Sequence, residues 1–237
     1  MKAKLDLHIH SEQSPDGRMT VSEIITQAKQ KGLQGAAICD HDRFFAGQSE
    51  GEDFLLIGGE EFSTPYGHLL GLFLTEPIHE KTVPDIIRAI HAQGGLAVLA
   101  HPFEHAKTPD RFEEIVPLLD GMEIWNGRAN RKNRQANRQA AEYAAAHNLP
   151  GFGGSDAHLK QEIGNGYVVV EVESLTIDNV KAALLCKDNP VRGRNGKSRY
   201  VAASQFTRRR KTRAKPRSYI KWGAFAAKCC IEDLLRK

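Results

Sequence analysis

The sequence has 237 residues, of which 41% are hydrophobic and 26% charged, with a formal net charge of +4 at pH 7. This composition is typical of a globular protein and excludes a disordered or fibrous chain. No apolar run reaches the ~18 residues of a membrane span, and Met1–Ser11 contains Asp and His where a signal peptide is apolar, so we expect a cytoplasmic protein without a membrane segment.

Short β-like runs alternate with helical stretches along the first 190 residues. Strands are predicted at Lys4–Ile9, Gly35–Cys39, Phe54–Gly58, His68–Phe73, Leu96–Ala100, Gly121–Trp125, Gly151–Gly154 and Tyr167–Val172. Helices are predicted at Val21–Lys31, Pro84–Gln93, Pro109–Leu119, Arg131–His147 and Ile177–Cys186. The alternation predicts an α/β fold with parallel strands covered by helices, and the number of strands favours a closed barrel over an open sheet.

The positive charge is concentrated near the end of the sequence. Between Val191 and Arg217 lie 11 of the 33 basic residues and none of the 29 acidic ones, which leaves the remaining chain with a net charge of −7. We interpret Arg192–Arg217 as a basic, exposed or mobile segment. It would separate a domain at residues 1–190 from a C-terminal amphipathic helix at residues 218–237, with the boundary placed after residue 190.

The histidines fall at predicted strand ends beside carboxylates. His8 and His10 lie two residues apart on the first predicted strand, so their side chains point to the same face and can share a metal ion. The other candidates are Asp16 in the turn after that strand, His41 and Glu61 after the next two strands, His68 at the start of the fourth, His101 after the fifth, and Asp156 and His158 after the seventh. The carboxyl ends of parallel barrel strands share one rim, so we expect these side chains to converge.

Six segments carry all of these residues except His68: Asp6–Ser11, Ser14–Gly17, Cys39–Asp42, Gly58–Ser63, Ala100–Pro102 and Gly154–His158. Together, and in this order, they resemble the motifs of the polymerase and histidinol phosphatase (PHP) family. The resemblance covers about residues 4 to 185. It implies a distorted (β/α)7 barrel, similar to a TIM barrel, with a trinuclear metal centre at the carboxyl rim that hydrolyses phosphate esters.

The resemblance also implies which residues hold each ion. It assigns His8, His10, Glu61 and Asp156 to one ion, Glu61, His68 and His101 to a second, and Asp16, His41 and His158 to a third. Glu61 is preferred to Glu60 because the family spacing Gly-x-Glu-x-Ser is met by Gly59, Glu61 and Ser63. Every one of these positions holds a residue type that can bind a metal.

Imidazoles mixed with carboxylates suit Zn²⁺, Mn²⁺ or Fe²⁺, and the lack of thiolates among the candidates argues against a structural zinc finger. Up to three such divalent ions can neutralise phosphate oxygens, lower the pKa of a bound water and stabilise the leaving oxygen. The expected nucleophile is a metal-bound hydroxide. We take Asp16, His41, Glu61 and His158 as the candidate catalytic residues.

Candidate substrate contacts follow the sixth predicted strand. Asn126 and Arg128 would lie at the same rim, where a guanidinium can bind a phosphate through two hydrogen bonds. Asp40 and Asp42 flank His41 in the sequence and are candidates to orient its imidazole.

The sequence therefore predicts a metal-dependent phosphoesterase that acts on a small phosphomonoester, namely a nucleotide or a nucleoside bisphosphate. One alternative is an exonuclease acting on short RNA or DNA ends, with Arg192–Arg217 attracting the nucleic-acid backbone. A histidinol phosphatase is another. A third, from a different class, is a non-catalytic, metal-stabilised module that binds nucleic acid or protein through the basic segment.

Overall fold

The computed structural model describes residues 1–105 and 112–235. The strands are β1 (Lys2–Ile9), β2 (Gly35–Ile38), β3 (Ser49–Glu50), β4 (Leu55–Thr64), β5 (Gly67–Leu72), β6 (Leu96–Ala100), β7 (Gly121–Asn126), β8 (Gly151–Gly154), β9 (Gly166–Glu171) and β10 (Val191–Gly193). The helices are α1 (Val21–Gln30), α2 (Val83–Ala92), α3 (Ala136–Ala146), α4 (Ile177–Leu184), α5 (Ser198–Lys211) and α6 (Arg217–Leu235).

The strands form a barrel that is nearly closed. Within the described residues, nine strands follow the order β10-β9-β1-β2-β4-β5-β6-β7-β8, and β3 pairs with β4 outside this path. The chain after β8 returns to the end of β1, where the amide of Asp156 donates to the carbonyl of His8 at 2.8 Å and that of His10 to the carbonyl of Ala157 at 2.9 Å. The predicted α/β barrel is confirmed.

The prediction that the strands are all parallel is wrong for β5 and β9. β5 runs antiparallel to β4 and β6, and β9 runs antiparallel to β1 and β10. Only Pro65 and Tyr66 separate β4 from β5, a connection too short for a parallel crossover. Because β5 is reversed, His68 near its start lies at the rim where the parallel strands end.

An irregularity in β1 sets the direction of its last side chains. Leu5 and Leu7 belong to one apolar cluster with residues of β9, whereas Ile9 packs with Ile24 of α1. The pairing register of β1 with β2 shifts between Asp6 and Ile9. Irregularities of this kind are common beside functional sites, and this one lies next to His8 and His10.

The helices confirm the sequence pattern at α1, α2 and α4 but differ elsewhere. Residues 109–111 of the predicted helix Pro109–Leu119 lie outside the described residues, and its described part contains a short 3₁₀ turn at Val116–Leu118. The helix predicted from Arg131 begins at Ala136 instead. The side chains of Asn130 and Asn133 accept hydrogen bonds from the amides of residues 137 and 135, which competes with helix formation before that point.

Arg192–Arg217, for which we predicted an exposed or mobile segment, contains most of β10 and all of α5, and many of its side chains, among them Arg208 and Arg210, are exposed. β10 extends the barrel sheet beside β9. α5 buries Ala202, Ser204 and Thr207, and Arg18 from the barrel donates to the hydroxyl of Thr207 and, at 3.3 Å, to the carbonyl of Ala203. The basic composition of this segment gave no indication that small residues of α5 would be buried. The division of the chain at residues 190 and 217 stays a prediction.

The predicted terminal helix exists as α6 and packs on α5. Phe206 and Trp222 have ring centroids 4.8 Å apart, and the indole of Trp222 donates to the carbonyl of Ala202 at 2.8 Å. The carboxylate of Asp233 accepts from the amides of Ser198 and Arg199 at 2.6 and 3.1 Å, so α6 caps the N-terminus of α5. None of the described helices combines the length and the apolar character needed to cross a membrane.

Replacing the capping carboxylate, Asp233→Ala, should lower the free energy of unfolding by about 1 kcal/mol, because two first-turn amides lose their acceptor. Urea denaturation followed by circular dichroism measures this change. Asp188→Ala is the control, since Asp188 is exposed and lies between elements. Equal unfolding midpoints for the two variants would contradict the cap.

Candidate metal centre

The site is built around the carboxylate of Glu61 on β4, a residue that is 1% exposed. Five imidazoles surround it: its oxygens lie 2.7 Å from His41 Nδ1, 2.7 Å from His68 Nδ1, 3.1 Å from His101 Nε2, and 3.4 Å from both His8 Nε2 and His10 Nε2. These histidines come from β1, β5 and the loops after β2 and β6. The neighbouring Glu60 points to the other face of β4 by strand alternation.

Two aspartates extend this cluster. Asp156 Oδ1 lies 3.3 Å from His10 Nε2 and 3.5 Å from His158 Nδ1. Asp16 Oδ1 lies 3.2 Å from His158 Nε2 and 3.6 Å from His41 Nε2. The structure therefore brings all nine predicted metal ligands into one connected group.

The donor set fits divalent cations. Among the described residues, Asp16 Oδ1, Glu61 Oε2 and His68 Nδ1 are buried polar atoms without a hydrogen-bond partner, although ligand-type atoms of other residues lie close to them. Buried polar groups need such partners, and a cation coordinated by these atoms would supply them. Four overlapping sets could hold an ion: His8, His10 and Asp156; His8, Glu61 and His101; His41, Glu61 and His68; and His10, His41 and His158.

The charges within the cluster lower the pKa of its central carboxyl group and raise the pKa values of two of its imidazoles. Burial raises the pKa of the Glu61 carboxyl, but the neighbouring imidazoles, led by His8, hold it well below its usual value. Burial lowers the pKa of His41, but the charge of Glu61, its hydrogen bond and the charges of Asp16 and Asp156 together outweigh burial and raise that pKa to about 9. Burial likewise lowers the pKa of His101, and its hydrogen bond with Glu61 together with the charges of Glu104, Glu61 and Glu123 raises it to about 9. A cation that binds these nitrogens must therefore displace protons.

Two residues that orient the imidazoles were not predicted from the sequence. Glu123 on β7, 1% exposed, accepts from His8 at Nδ1 over 3.1 Å and from the amide of His101 over 2.9 Å. The hydroxyl of Ser14 lies 3.0 Å from His10 Nδ1. Partners of this kind fix the tautomer and the direction of a ligating imidazole. A lone glutamate between Met122 and Ile124 on an apolar strand was the available signal for Glu123.

The backbone at the rim is unusual at two candidate ligands and tightly packed at a third position. His101 and Asp156 have φ values of 27° and 54°, a left-handed region that non-glycine residues adopt at a cost. At Gly154, a Cβ atom would lie 2.3 Å from His8 Cβ and 2.6 Å from Glu123 Oε1. Only glycine at this position leaves room for the imidazole and its partner.

The predicted substrate contacts already have protein partners. Asn126 is 1% exposed and donates to Glu123 Oε2 at 2.9 Å. Arg128 borders the cavity but forms a bidentate ion pair with Glu162, at 2.7 and 2.5 Å. Their role in binding substrate stays a prediction.

The acidic residues next to His41 do not orient its ring in the described contacts. Asp40 accepts from the amide and hydroxyl of Ser11, at 2.7 and 2.6 Å. Asp42 accepts from the amide and hydroxyl of Ser63, at 2.7 and 2.9 Å. Both carboxylates stabilise the backbone beside the site instead.

A cavity of ≈ 390 Å³ opens on one side of the cluster and makes it accessible. The side chains of His8 and His10 are fully buried, whereas those of His68 and His41 are 34% and 20% exposed. The open side of the centre is therefore the side of His41, His68 and Asp16.

Lys211 of α5 holds the loop that carries Asp16. Its ammonium donates to the carbonyls of Glu12, Ser14 and Gly17 at 2.6, 2.8 and 2.8 Å. An ammonium has three N–H donors, and here all three are used on one short loop. Because Arg192–Arg217 was interpreted as an exposed or mobile segment, this contact of Lys211 was not predicted from the sequence.

Comparison with known proteins points to one family. The family model described as PHP domain matches residues 6–152, and the model described as PHP-associated matches residues 134–188. An uncharacterised protein of Methanocaldococcus jannaschii is 30% identical over 177 residues, which cover 70% of this chain and 69% of the relative. The 5′–3′ exoribonuclease of Haemophilus influenzae is 31% identical over 136 residues, 51% of this chain and 47% of the relative.

The fold comparison agrees. A two-domain protein of Bacteroides vulgatus, described as containing a predicted PHP-like metal-dependent phosphoesterase, superposes with a TM-score of 0.67 at 18% identity. The superposition covers 87% of this chain and 70% of that one.

Gly154→Ala should destabilise the protein by about 1–3 kcal/mol, because the new methyl group overlaps His8 and Glu123. It should also weaken Mn²⁺ binding. Calorimetric unfolding and Mn²⁺ titration measure the two effects. Gly223→Ala on α6 is the matched control, since nothing lies within 4 Å of its added Cβ. Equal Mn²⁺ affinity of both variants would show that Gly154 does not shape the site.

Lys211→Met should weaken the binding of one divalent cation about 10-fold or more, because the loop carrying Asp16 loses its three-carbonyl contact. Metal analysis of the dialysed protein, together with Mn²⁺ titration, gives the stoichiometry and affinity. Arg210→Met, on the adjacent exposed residue, is the control. A lower melting temperature with unchanged metal stoichiometry and affinity would limit Lys211 to a structural role.

Proposed function

Because the chain belongs to the PHP domain family, we propose that it is a metal-dependent phosphoesterase that hydrolyses a phosphomonoester, namely a nucleotide or a nucleoside bisphosphate. The observation that carries this proposal is the convergence of nine histidine, aspartate and glutamate side chains in one cluster, seven of which border an accessible cavity. A structural metal site is closed by its ligands, whereas a reactive one keeps an open side.

The cofactors are up to three divalent cations, Mn²⁺, Zn²⁺ or Fe²⁺, held by the nine residues of the cluster. When bound, they neutralise phosphate oxygens, activate the attacking water and stabilise the departing oxygen. The chain contributes the positions of the ligands: Glu123 directs Nε2 of His8 towards the centre, and Ser14 does the same for His10. No side chain of the cluster is a serine or cysteine nucleophile.

Two of the four candidate catalytic residues, Asp16 and His41, lie on the open side of the centre. Asp16 and His41 border the cavity, and their side chains are 12% and 20% exposed. His158 lies between Asp16 and Asp156. Glu61 contacts imidazoles on the open side of the centre and imidazoles on its buried side. A substrate phosphate that enters the cavity would meet Asp16 and His41 before it reaches the fully buried His8 and His10.

An exonuclease that removes nucleotides from short RNA or DNA ends is the second candidate. It is favoured by the similarity to the exoribonuclease of Haemophilus influenzae, of which this chain matches less than half. Basic residues on the cavity wall suit a nucleic-acid backbone equally well. Release of 5′-nucleotides from a labelled oligoribonucleotide, compared with release of phosphate from nucleotides, separates the two activities.

Glu61→Gln and His10→Ala should each reduce Mn²⁺-dependent phosphate release at least about 100-fold, because each removes a ligand shared within the cluster. Phosphate release is measured on a panel of nucleotides, nucleoside bisphosphates and histidinol phosphate. His79→Ala is the control, since His79 is exposed and lies outside the cluster.

Chelation should abolish the activity of the wild type, and added Mn²⁺ should restore it. Lower pH should also weaken metal binding, because His41 and His101, whose pKa values are about 9, must lose their protons to bind a cation, and a higher proton concentration competes with the cation. Absence of turnover on every ester, together with nucleic-acid or protein binding that chelator leaves unchanged, would favour the non-catalytic module.

A further inference from the structure

The cavity beside the candidate metal centre is bordered by candidate metal ligands on one wall and by basic side chains on a second wall. One wall carries the ligands on its open side, among them Asp16 and His41. The opposite wall comes from α5 and includes Arg208 and Arg209. With ≈ 390 Å³, the cavity falls within the size range of small-molecule pockets and exceeds what one phosphate group fills.

Arg208 differs from the basic residues that line the cavity from outside α5. Three of those are paired with carboxylates: Arg128 with Glu162 at 2.5 Å, Lys132 with Glu104 at 3.0 Å and Arg131 with Glu232 at 3.9 Å. The side chain of Arg208 has no ion pair or hydrogen bond with any other described residue. An uncompensated guanidinium therefore borders the cavity that would receive the substrate.

Arg209 is held in place without being neutralised. Its Nη1 donates to the carbonyl of Gln205 at 2.9 Å and its Nε to the carbonyl of Ser218 at 3.3 Å. These acceptors are uncharged, so they fix the side chain and leave its positive charge available. A cation fixed before the ligand arrives loses little conformational entropy on binding.

The arrangement differs from a uniformly solvated basic helix face. Arg208 and Arg210 are both exposed, but Arg210 borders a different cavity, near Glu12 and Gly17. Lys211 is committed to the loop that carries Asp16. Arg208 and Arg209 are thus the members of the run that face the candidate metal centre.

We propose that Arg208 and Arg209 form a second anion-binding subsite, which holds a second phosphate group of the substrate while the first lies at the metal centre. This inference rests on the proposed function and narrows its substrate class to compounds with two phosphates. A guanidinium binds phosphate through directed, charge-assisted hydrogen bonds. The second phosphate can come from a nucleoside bisphosphate or from the next phosphodiester of a short oligonucleotide.

The subsite belongs to a part of the chain outside the family match. The PHP-associated model ends at residue 188, whereas α5 spans Ser198–Lys211. The candidate ligands all precede residue 188, so the metal centre and the subsite come from separate stretches of sequence. The preference for a second phosphate is accordingly a property of the two C-terminal helices, α5 and α6.

The kinetic test compares adenosine 5′-monophosphate with adenosine 3′,5′-bisphosphate in the presence of Mn²⁺. We expect the wild type to prefer the bisphosphate. Arg208→Ala should lower kcat/KM for the bisphosphate about 10- to 100-fold, the loss of a hydrogen bond to a charged group, and change that for the monophosphate less than about 3-fold. Arg208→Lys should recover part of the loss, and Arg210→Ala should leave both values unchanged.

The outcomes separate the two proposals. Turnover of neither nucleotide by the wild type would overturn the proposed function. Turnover of both with the same preference in the wild type and Arg208→Ala would overturn the subsite alone. A 5′-phosphorylated dinucleotide is the third substrate, and a larger loss on it than on the bisphosphate would assign the subsite to a phosphodiester.

Binding gives a readout that does not depend on turnover. Calorimetric titration of the bisphosphate in the presence of chelator measures the contribution of α5 without hydrolysis. Arg208→Ala should bind about 10-fold more weakly than the wild type, and the difference should shrink as salt concentration rises. Equal affinities would overturn the subsite whatever the kinetics show.

Discussion

The structure depends on keeping one carboxylate, that of Glu61, buried among five imidazoles. A buried charge is costly unless it is paired and hydrogen-bonded, and here pairing comes from side chains of four separate parts of the chain. This demand explains several irregular features of the fold. The register shift in β1, the reversed β5 and the left-handed backbone at His101 each bring an imidazole to the same point.

Around this centre the molecule is organised in layers of decreasing burial. Glu123 and Ser14 fix two imidazoles from behind, in contacts closed to solvent. The ligands at the open side border the cavity, and α5 forms the wall opposite to them. The contacts that orient the imidazoles thus lie deepest, the partly exposed candidate ligands lie nearer to solvent, and α5 supplies basic side chains at the edge of the cavity.

The sequence predicted the barrel and the set of candidate ligands because both have local signals. Strand-end histidines beside carboxylates can be recognised one motif at a time, and their order supported the family resemblance. Features set by distant contacts could not be predicted in this way. The basic composition of Arg192–Arg217 suggested solvation, but Asp233 and Arg18 stabilise α5 from outside the segment. Glu123 was missed because an apolar strand gives no indication of which partner a lone carboxylate will meet.

The contact between Lys211 and Glu12 joins residues 199 positions apart and has a consequence for biosynthesis. The first histidines leave the ribosome long before α5 exists, and α5 in turn receives its N-terminal cap from α6. Nascent chains can gather their early imidazoles and carboxylates, but the loop of Asp16 acquires its final support only after translation has passed the last helix. The contacts that hold the loop of Asp16 are therefore among the last that the growing chain can form.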